Sequence, residues 1–247
     1  MPRCQRTFRG LPGDPARVDE GALRWTCPYC DEGETYQTVS AGDLLEYARL
    51  AGAQCARDFG APADPDRASL LVLGQRPECV YEAAHRRYDL YLYRHSDPFQ
   101  LRLQIGHEVF HRVCSQGGIF HWTHEMLACL VSVRMLRQFG AAEYAERVAR
   151  DYREQAARFS TDALLASDLW RSEDGGSNTG PPTGLYGRAF VTGEALLETA
   201  GWPALCRLAR TARRDGSPDV GRWMETLETG ARRASAGILR GSMEGKP

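Results

Sequence analysis

The stretch Ile105–Leu130, IGHEVFHRVCSQGGIFHWTHEMLACL, decides how the rest of the chain is interpreted. It contains the pattern H-E-x-x-H, in which His107 and His111 stand at positions i and i+4. On a helix such residues share one face with Cβ atoms about 5–6 Å apart, so both imidazoles can bind one ion. Zinc in proteins takes about four ligands, and histidine nitrogen is a preferred donor. The stretch therefore predicts two ligands of a metal site.

Spacing alone leaves the third ligand open. His121 follows a predicted loop, so its position is the least constrained, whereas His124 and Glu125 stand in the first turn of the next predicted helix. Adjacent helical residues point about 100° apart, so we do not expect His124 and Glu125 both to bind the ion. Two histidines and a carboxylate also suit non-haem iron. The helical spacing of the histidines, with a glutamate directly after the first, favours zinc.

Glu108 is the expected catalytic base. Because it follows the first histidine, its carboxylate can approach a water molecule at the metal without binding the metal itself. A metal ion lowers the pKa of such a water, but a base must still accept the proton. The motif falls inside a predicted amphipathic helix, from about Phe99 to Cys114, directly after predicted strands. This context favours a metal site over a helix that only packs in the core.

The segments HEVFH and HWTHEMLACL resemble the gluzincin metallopeptidases, in particular the peptidase-MA-like group and the zinc aminopeptidases. In those families a helix with a pattern like W-x-x-E-G-L-A supplies a glutamate ligand. Trp122, Glu125, Leu127 and Ala128 fall on that pattern, and Met126 replaces the glycine. The resemblance implies that zinc is the cofactor and that Glu125 is its third protein ligand.

A second part of the resemblance lies around Tyr186. The segment GLYGRAFVTGEALLETAGWPALCRLART is similar to the C-terminal part of the same families, where a tyrosine stabilises the oxyanion. Tyr186 matches the position of that tyrosine, and the resemblance as a whole spans roughly residues 69–230. It implies that Glu108 takes a proton from the attacking water and delivers it to the leaving amine. Tyr186 would donate a hydrogen bond to the tetrahedral oxyanion.

Outward from the motif, the sequence predicts a few strands followed by helices. SLLVLG and RRYDLYLYR have strand patterns and CVYEA a weaker one, whereas helical spacing dominates after HSDP. We therefore predict an α+β fold, a zincin-like domain in which a small mixed sheet is followed by a mostly helical C-terminal half. If RRYDLYLYR lies at the sheet edge, it could pair with an extended peptide substrate.

Three regions are expected along the chain. A loop-rich N-terminal extension with CPYC covers residues 1–38, the metallohydrolase domain covers 39–234, and a disordered tail covers 235–247. CPYC has the letters of a glutaredoxin motif, but the acidic DEGETYQ follows it where that chemistry requires a helix. A structural zinc site with two further cysteines is a second interpretation, although the chain has no second C-x-x-C. Two thiols in a loop without a special role are the simplest one.

Composition excludes several classes of function. The formal net charge of −1 gives no electrostatic case for binding nucleic acid or a membrane surface. Lys246 is the only lysine and stands in a polar tail, which excludes a Schiff-base mechanism. There is no apolar run of about 18 residues to span a membrane, and the first residues lack the apolar middle of a secretory signal. We therefore expect a cytoplasmic protein whose cysteines are mostly buried thiols.

Together these features predict a zinc-dependent metallohydrolase, most simply a metallopeptidase that cleaves peptide or amide bonds. The expected partner is a peptide or an amide-containing small molecule. One alternative is a zincin fold recruited as a small-molecule tailoring enzyme in a biosynthetic pathway. Another is a non-catalytic metal-binding protein. A complete H-E-x-x-H motif with a glutamate following it speaks against the latter, since a decayed site usually loses its base or a ligand.

Overall fold

The computed structural model of this protein describes ten segments of the chain. They are residues 23–26, 33–36, 41–60, 69–74, 78–82, 87–93, 98–114, 121–166, 183–211 and 218–241.

Helices make up most of the described residues. They are α1 (Ala41–Phe59), α2 (Pro98–Cys114), α3 (Trp122–Gln138), α4 (Ala142–Ala156), α5 (Thr161–Ala166), α6 (Thr183–Ala200), α7 (Trp202–Arg210), α8 (Val220–Glu225) and α9 (Thr229–Leu239). The described strands are short, and they are β1 (Leu23–Thr26), β2 (Gly33–Tyr36), β3 (Ser69–Gly74), β4 (Glu78–Glu82) and β5 (Arg87–Tyr93).

Helix α3 forms the centre of the core. Of its 17 residues, 14 are buried, and it contacts α2, α4, α6 and α7. A helix that is apolar on nearly all sides needs partners on all sides. Its contact with α2 is close because Gly106 has no side chain: a Cβ at this position would lie 3.0 Å from Cα of Ser132. The residue before His107 thus lets the histidine helix approach α3.

The predicted α+β class is wrong. Of the residues whose side chains the structure describes, 85% are helical, and among the described core residues only Leu90 and Leu92 come from a strand. The reason lies in the lengths of the elements: α1, α2, α3, α4 and α6 have 15 to 19 residues. Helices of this length bury their apolar faces on one another, so helix-on-helix packing sets the architecture. The strands β3, β4 and β5 form a small sheet that contacts α1 and α2.

The position of β5 corrects a second expectation. Strand order is β3-β5-β4, and β5 pairs parallel to β3 and antiparallel to β4. RRYDLYLYR is therefore an inner strand, with both of its backbone edges already paired. It cannot align an extended peptide in the predicted way, because that mode of binding requires an unpaired edge.

The structure describes parts of both terminal regions. Within residues 1–38, read as loop-rich, β1 and β2 pair antiparallel as a short hairpin. At the other end, α9 continues to Leu239, past the start of the predicted tail at residue 235. Ser235 and Ile238 are buried, which explains why the helix extends through them. The CPYC motif at 27–30 and residues 242–247 lie outside the described segments.

Glycine allows α6 to pack closely against α4. A Cβ at Gly187 would lie 2.5 Å from the carbonyl oxygen of Tyr152 and 2.8 Å from the backbone nitrogen of Ala156. Because both neighbours are backbone atoms, they cannot move aside as the end of a flexible side chain can. We therefore expect Gly187→Ala to lower the free energy of unfolding by about 1–3 kcal/mol.

Chemical denaturation measures this effect, and Gly237→Ala is the matched control. Gly237 is also helical, but nothing lies within 4 Å of a Cβ added there. The control should stabilise the protein by about 0.5–1 kcal/mol, since alanine is the better helix former. Equal effects of the two substitutions would contradict the close packing of α6 on α4.

Candidate metal centre

Helix α2 places His107 and His111 on one face. The helix begins at Pro98. Proline suits the first helical turn because the backbone N–H that it lacks would have no partner within the helix at that position. Leu101, Ile105 and other apolar residues face the core, which fixes the rotation of the helix. The two imidazole rings lie with their centroids 4.9 Å apart, and their side chains are 15% and 17% exposed. The histidine pair is thus held at the border between core and surface.

The start of α3 brings Glu125 to this pair and gives His121 a different role. His121 is the N-cap residue of α3, in an extended conformation, and its Nδ1 accepts a hydrogen bond from the backbone N–H of Thr123 at 3.3 Å. The same Nδ1 lies 2.7 Å from the Thr123 hydroxyl. Such a cap satisfies a backbone donor that has no partner within the helix. Glu125, in the first turn, then points toward α2.

Two histidine nitrogens and the two oxygens of one carboxylate meet between the two helices. Glu125 Oε2 lies 3.0 Å from His107 Nε2, Glu125 Oε1 lies 3.3 Å from His111 Nε2, and the two Nε2 atoms are 3.1 Å apart. Ligands of a tetrahedral zinc at about 2.0–2.1 Å stand roughly 3.3 Å from one another. The donor set and its spacing therefore fit a zinc ion. Among the described residues, this is the group of histidine, cysteine and acidic side chains that meets the spacing for a metal.

Charge at the site favours a cation. Burial on its own would raise the pKa of Glu125, but the charges and hydrogen bonds of His111 and His107 outweigh it and hold that pKa well below its ordinary value. Burial would likewise lower the pKa of His107, but Glu125 and, to a smaller extent, Glu108 raise it above its ordinary value. A buried carboxylate that stays ionised requires a positive partner. Either a protonated histidine or a metal ion can supply it.

No protein-family model, no curated protein and no solved structure matches this chain. A cluster of two histidines and a glutamate does not by itself identify a gluzincin, so that resemblance stays a prediction drawn from the residue pattern.

The other expected site residues lie close to the cluster. Glu108 is buried, 5% exposed, and its charge acts on His107. The ring of Tyr186, near the start of α6, lies 6.0 Å from the ring of His107. His124 is also buried, but it is not part of the cluster, and its ring lies 6.4 Å from that of His121. Of the three open choices for the third ligand, the structure thus brings Glu125 to the histidine pair.

Two residues lie behind Glu125: Cys129, which agrees with the expectation of buried thiols, and Tyr152, which the sequence did not indicate. Cys129, one helical turn after Glu125, is buried and forms a hydrogen bond with Tyr152 of α4. Tyr152 interacts electrostatically with both Glu125 and Tyr186, and its ring packs 5.0 Å from that of Phe190. The i, i+4 spacing from Glu125 could have indicated Cys129. Tyr152 carried no such signal, because it lies far along the chain on a helix with a mostly polar face.

One remaining expectation concerns the membrane. The helices of the described segments include none that is both long and apolar enough to cross a bilayer.

Proposed function

We propose that this protein is a zinc-dependent hydrolase of peptide or amide bonds. The observation that carries the proposal is the meeting of His107, His111 and Glu125: the two histidine Nε2 atoms lie 3.1 Å apart, and each lies 3.0 or 3.3 Å from one of the two Glu125 carboxylate oxygens. The adjoining Glu108 and the nearby Tyr186 give this site the two further groups that hydrolysis requires. A site with a structural zinc alone needs neither of them.

The proposed ligands are His107, His111 and Glu125, and a fourth position is left for water or substrate, as in catalytic zinc sites. When bound, zinc acts as a Lewis acid toward a carbonyl oxygen and lowers the pKa of water. Neutral histidines and an ionised glutamate are the protonation states in which these side chains bind such an ion.

In this proposal Glu108 transfers the proton, and Tyr186 stabilises the negative charge on the oxyanion. Glu108 accepts the proton of the attacking water on its carboxylate and gives it to the leaving amine, which is general base and then general acid catalysis. Its position supports this role, because Glu108 is buried and its charge acts on His107, one of the proposed ligands. The Tyr186 hydroxyl donates a hydrogen bond to the oxyanion as the carbonyl becomes tetrahedral.

The test is cleavage of a defined peptide mixture, read by mass spectrometry, before and after removal of metal with a chelator. The proposal expects cleavage that disappears on chelation and returns with about one equivalent of zinc. Amide-containing small molecules are tested in parallel, since the same chemistry acts on both. If the protein holds one zinc but cleaves neither class, the hydrolase proposal fails and the non-catalytic alternative takes its place.

Tyr186→Phe tests the oxyanion role. We expect kcat to fall by about 10²–10³-fold, because one donor to the oxyanion is lost, while KM and zinc content change little. Steady-state kinetics with a cleaved peptide measures the split. Tyr144→Phe is the control: it removes a hydroxyl that is bonded to Gln100 at 2.7 Å, outside the site. A Tyr186→Phe enzyme with unchanged kcat would assign this tyrosine to packing only.

A further inference from the structure

Tyr152 of α4 contacts both of the helices that carry Glu125 and Tyr186. Its hydroxyl reaches α3, and its ring and its backbone meet α6. The residue as a whole is half-buried. Tyr152 is not one of the proposed ligands or catalytic groups, so its three contacts raise the question of what it does for them.

The hydroxyl of Tyr152 is fixed to α3. It forms a hydrogen bond with the thiol of Cys129, which is fully buried. The phenol is the stronger donor of the two groups, so the sulfur accepts. Cys129 stands four residues after Glu125 and therefore on the same face of the helix. The tip of the tyrosine is thus held one helical turn behind the glutamate.

The ring of Tyr152 is fixed to α6. Its centroid lies 5.0 Å from that of Phe190, and the two planes are inclined by 34°. Aromatic pairs at this distance attract one another. Phe190 is buried and stands four residues after Tyr186, so the two share a face of α6. The ring is thus held one helical turn behind the second functional residue.

The backbone of Tyr152 meets α6 directly beside Tyr186. A Cβ at Gly187 would lie 2.5 Å from the Tyr152 carbonyl oxygen, so the two helices touch there through backbone atoms. Tyr186 stands in the first turn of α6, which begins at Thr183. The first N–H groups of a helix have no partner within it, and helix ends fray. The position of a first-turn side chain therefore depends strongly on packing, and Tyr152 supplies part of that packing.

We propose that Tyr152 is a positioning residue that holds the Tyr186 ring beside His107 by linking α6 to α3. A tyrosine side chain has only two rotatable bonds, so contacts at its backbone, its ring and its hydroxyl fix it completely. A misplacement of about 1 Å can cost a catalytic group about 10²-fold in rate. The consequence for catalysis rests on the proposed hydrolase function, whereas the placement of Tyr186 does not.

The nuclear Overhauser effect between the rings of His107 and Tyr186 tests this placement and requires no activity. The ring centroids lie 6.0 Å apart, so protein with isotope-labelled histidine and tyrosine should show the effect, and Tyr186→Phe assigns it. Tyr152→Phe keeps the ring but loses the bond to Cys129, so the effect should weaken. Tyr144→Phe makes the same change on the same helix, where the hydroxyl is bonded to Gln100 at 2.7 Å, and should leave the effect unchanged.

Cys129→Ala removes the other partner of the bond and should weaken the effect in the same way. It provides a second reading if Tyr152→Phe folds poorly. Cys129→Ser should retain the effect, because its hydroxyl can accept a hydrogen bond in place of the sulfur. An effect of wild-type strength in Tyr152→Phe or in Cys129→Ala would overturn the proposal, and so would its absence from the wild type.

The kinetic consequence is measured on a peptide that the wild type cleaves. Tyr152→Phe should lower kcat about tenfold, with KM and zinc content little changed, as expected for a residue that orients a functional group. In a protein that already carries Tyr186→Phe, it should lower kcat no further, because no hydroxyl is left to position. Equal losses in both backgrounds would contradict a role through Tyr186. If the wild type cleaves nothing, the hydrolase proposal fails, and the Overhauser measurement still decides the role of Tyr152.

Discussion

Replacement of Glu125 by alanine is expected to empty the metal centre. Glu125 is 3% exposed and lies within 3.3 Å of both histidine nitrogens, so no other described side chain stands where its carboxylate does. Loss of residues that only orient the ligands typically costs 10–100-fold in metal affinity, so loss of a ligand should cost more than about 100-fold. Zinc content after dialysis against a weak chelator, measured by mass spectrometry, gives the result directly.

His124→Ala is the matched control for this substitution. His124 precedes Glu125 in the same turn of α3 and is buried to a similar extent, 4% exposed. If it lies outside the ligand set, its variant should retain about one zinc. Zinc lost from His124→Ala but kept by Glu125→Ala would identify three histidines as the ligands and would contradict the centre described above.

A change from Glu108 to glutamine should abolish most of the hydrolysis while leaving the metal bound. Glutamine has nearly the same shape as glutamate but cannot accept a proton, and general base catalysis typically contributes 10²–10⁴-fold. We therefore expect kcat to fall by about that factor with zinc content near that of the wild type. The readouts are zinc content and single-turnover cleavage of a peptide that the wild type hydrolyses.

Glu146→Gln makes the same chemical change away from the site. The Glu146 carboxylate is exposed and accepts a hydrogen bond from Arg137 at 2.8 Å, so its loss should leave kcat unchanged. A Glu108→Gln protein that keeps full activity would show that another group takes the proton. A Glu108→Gln protein that loses zinc would show that Glu108 supports the metal centre instead of acting on the substrate.

The local geometry of the centre could be predicted because it depends on short-range periodicity. His107 and His111 are four residues apart on one helix, and the predicted helix, from about Phe99 to Cys114, agrees with α2 at Pro98–Cys114. The i, i+4 rule places their rings together whatever the rest of the chain does. Spacing alone does not choose among His121, His124 and Glu125, and only the resemblance implies Glu125. The structure shows that the capping of α3 by His121 orients the first turn, which no periodicity encodes.

The fold class could not be predicted in the same way. The strand pattern of RRYDLYLYR agrees with β5, in which Leu90 and Leu92 are buried, but a local pattern does not tell how many elements share a core. The close contact of Gly187 with the backbone of α4 and the position of Tyr152 both depend on residues far apart in the sequence. Long-range packing of this kind leaves no periodic trace in one chain.

The most direct test of the account is a crystal structure of the zinc-loaded protein, with anomalous diffraction measured on both sides of the zinc absorption edge. The account predicts one anomalous peak within bonding distance of Nε2 of His107, Nε2 of His111 and the carboxylate of Glu125, at about 2.0–2.2 Å. A zinc peak beside His121 and His124, or protein that binds no zinc and shows no peak between α2 and α3, would contradict it.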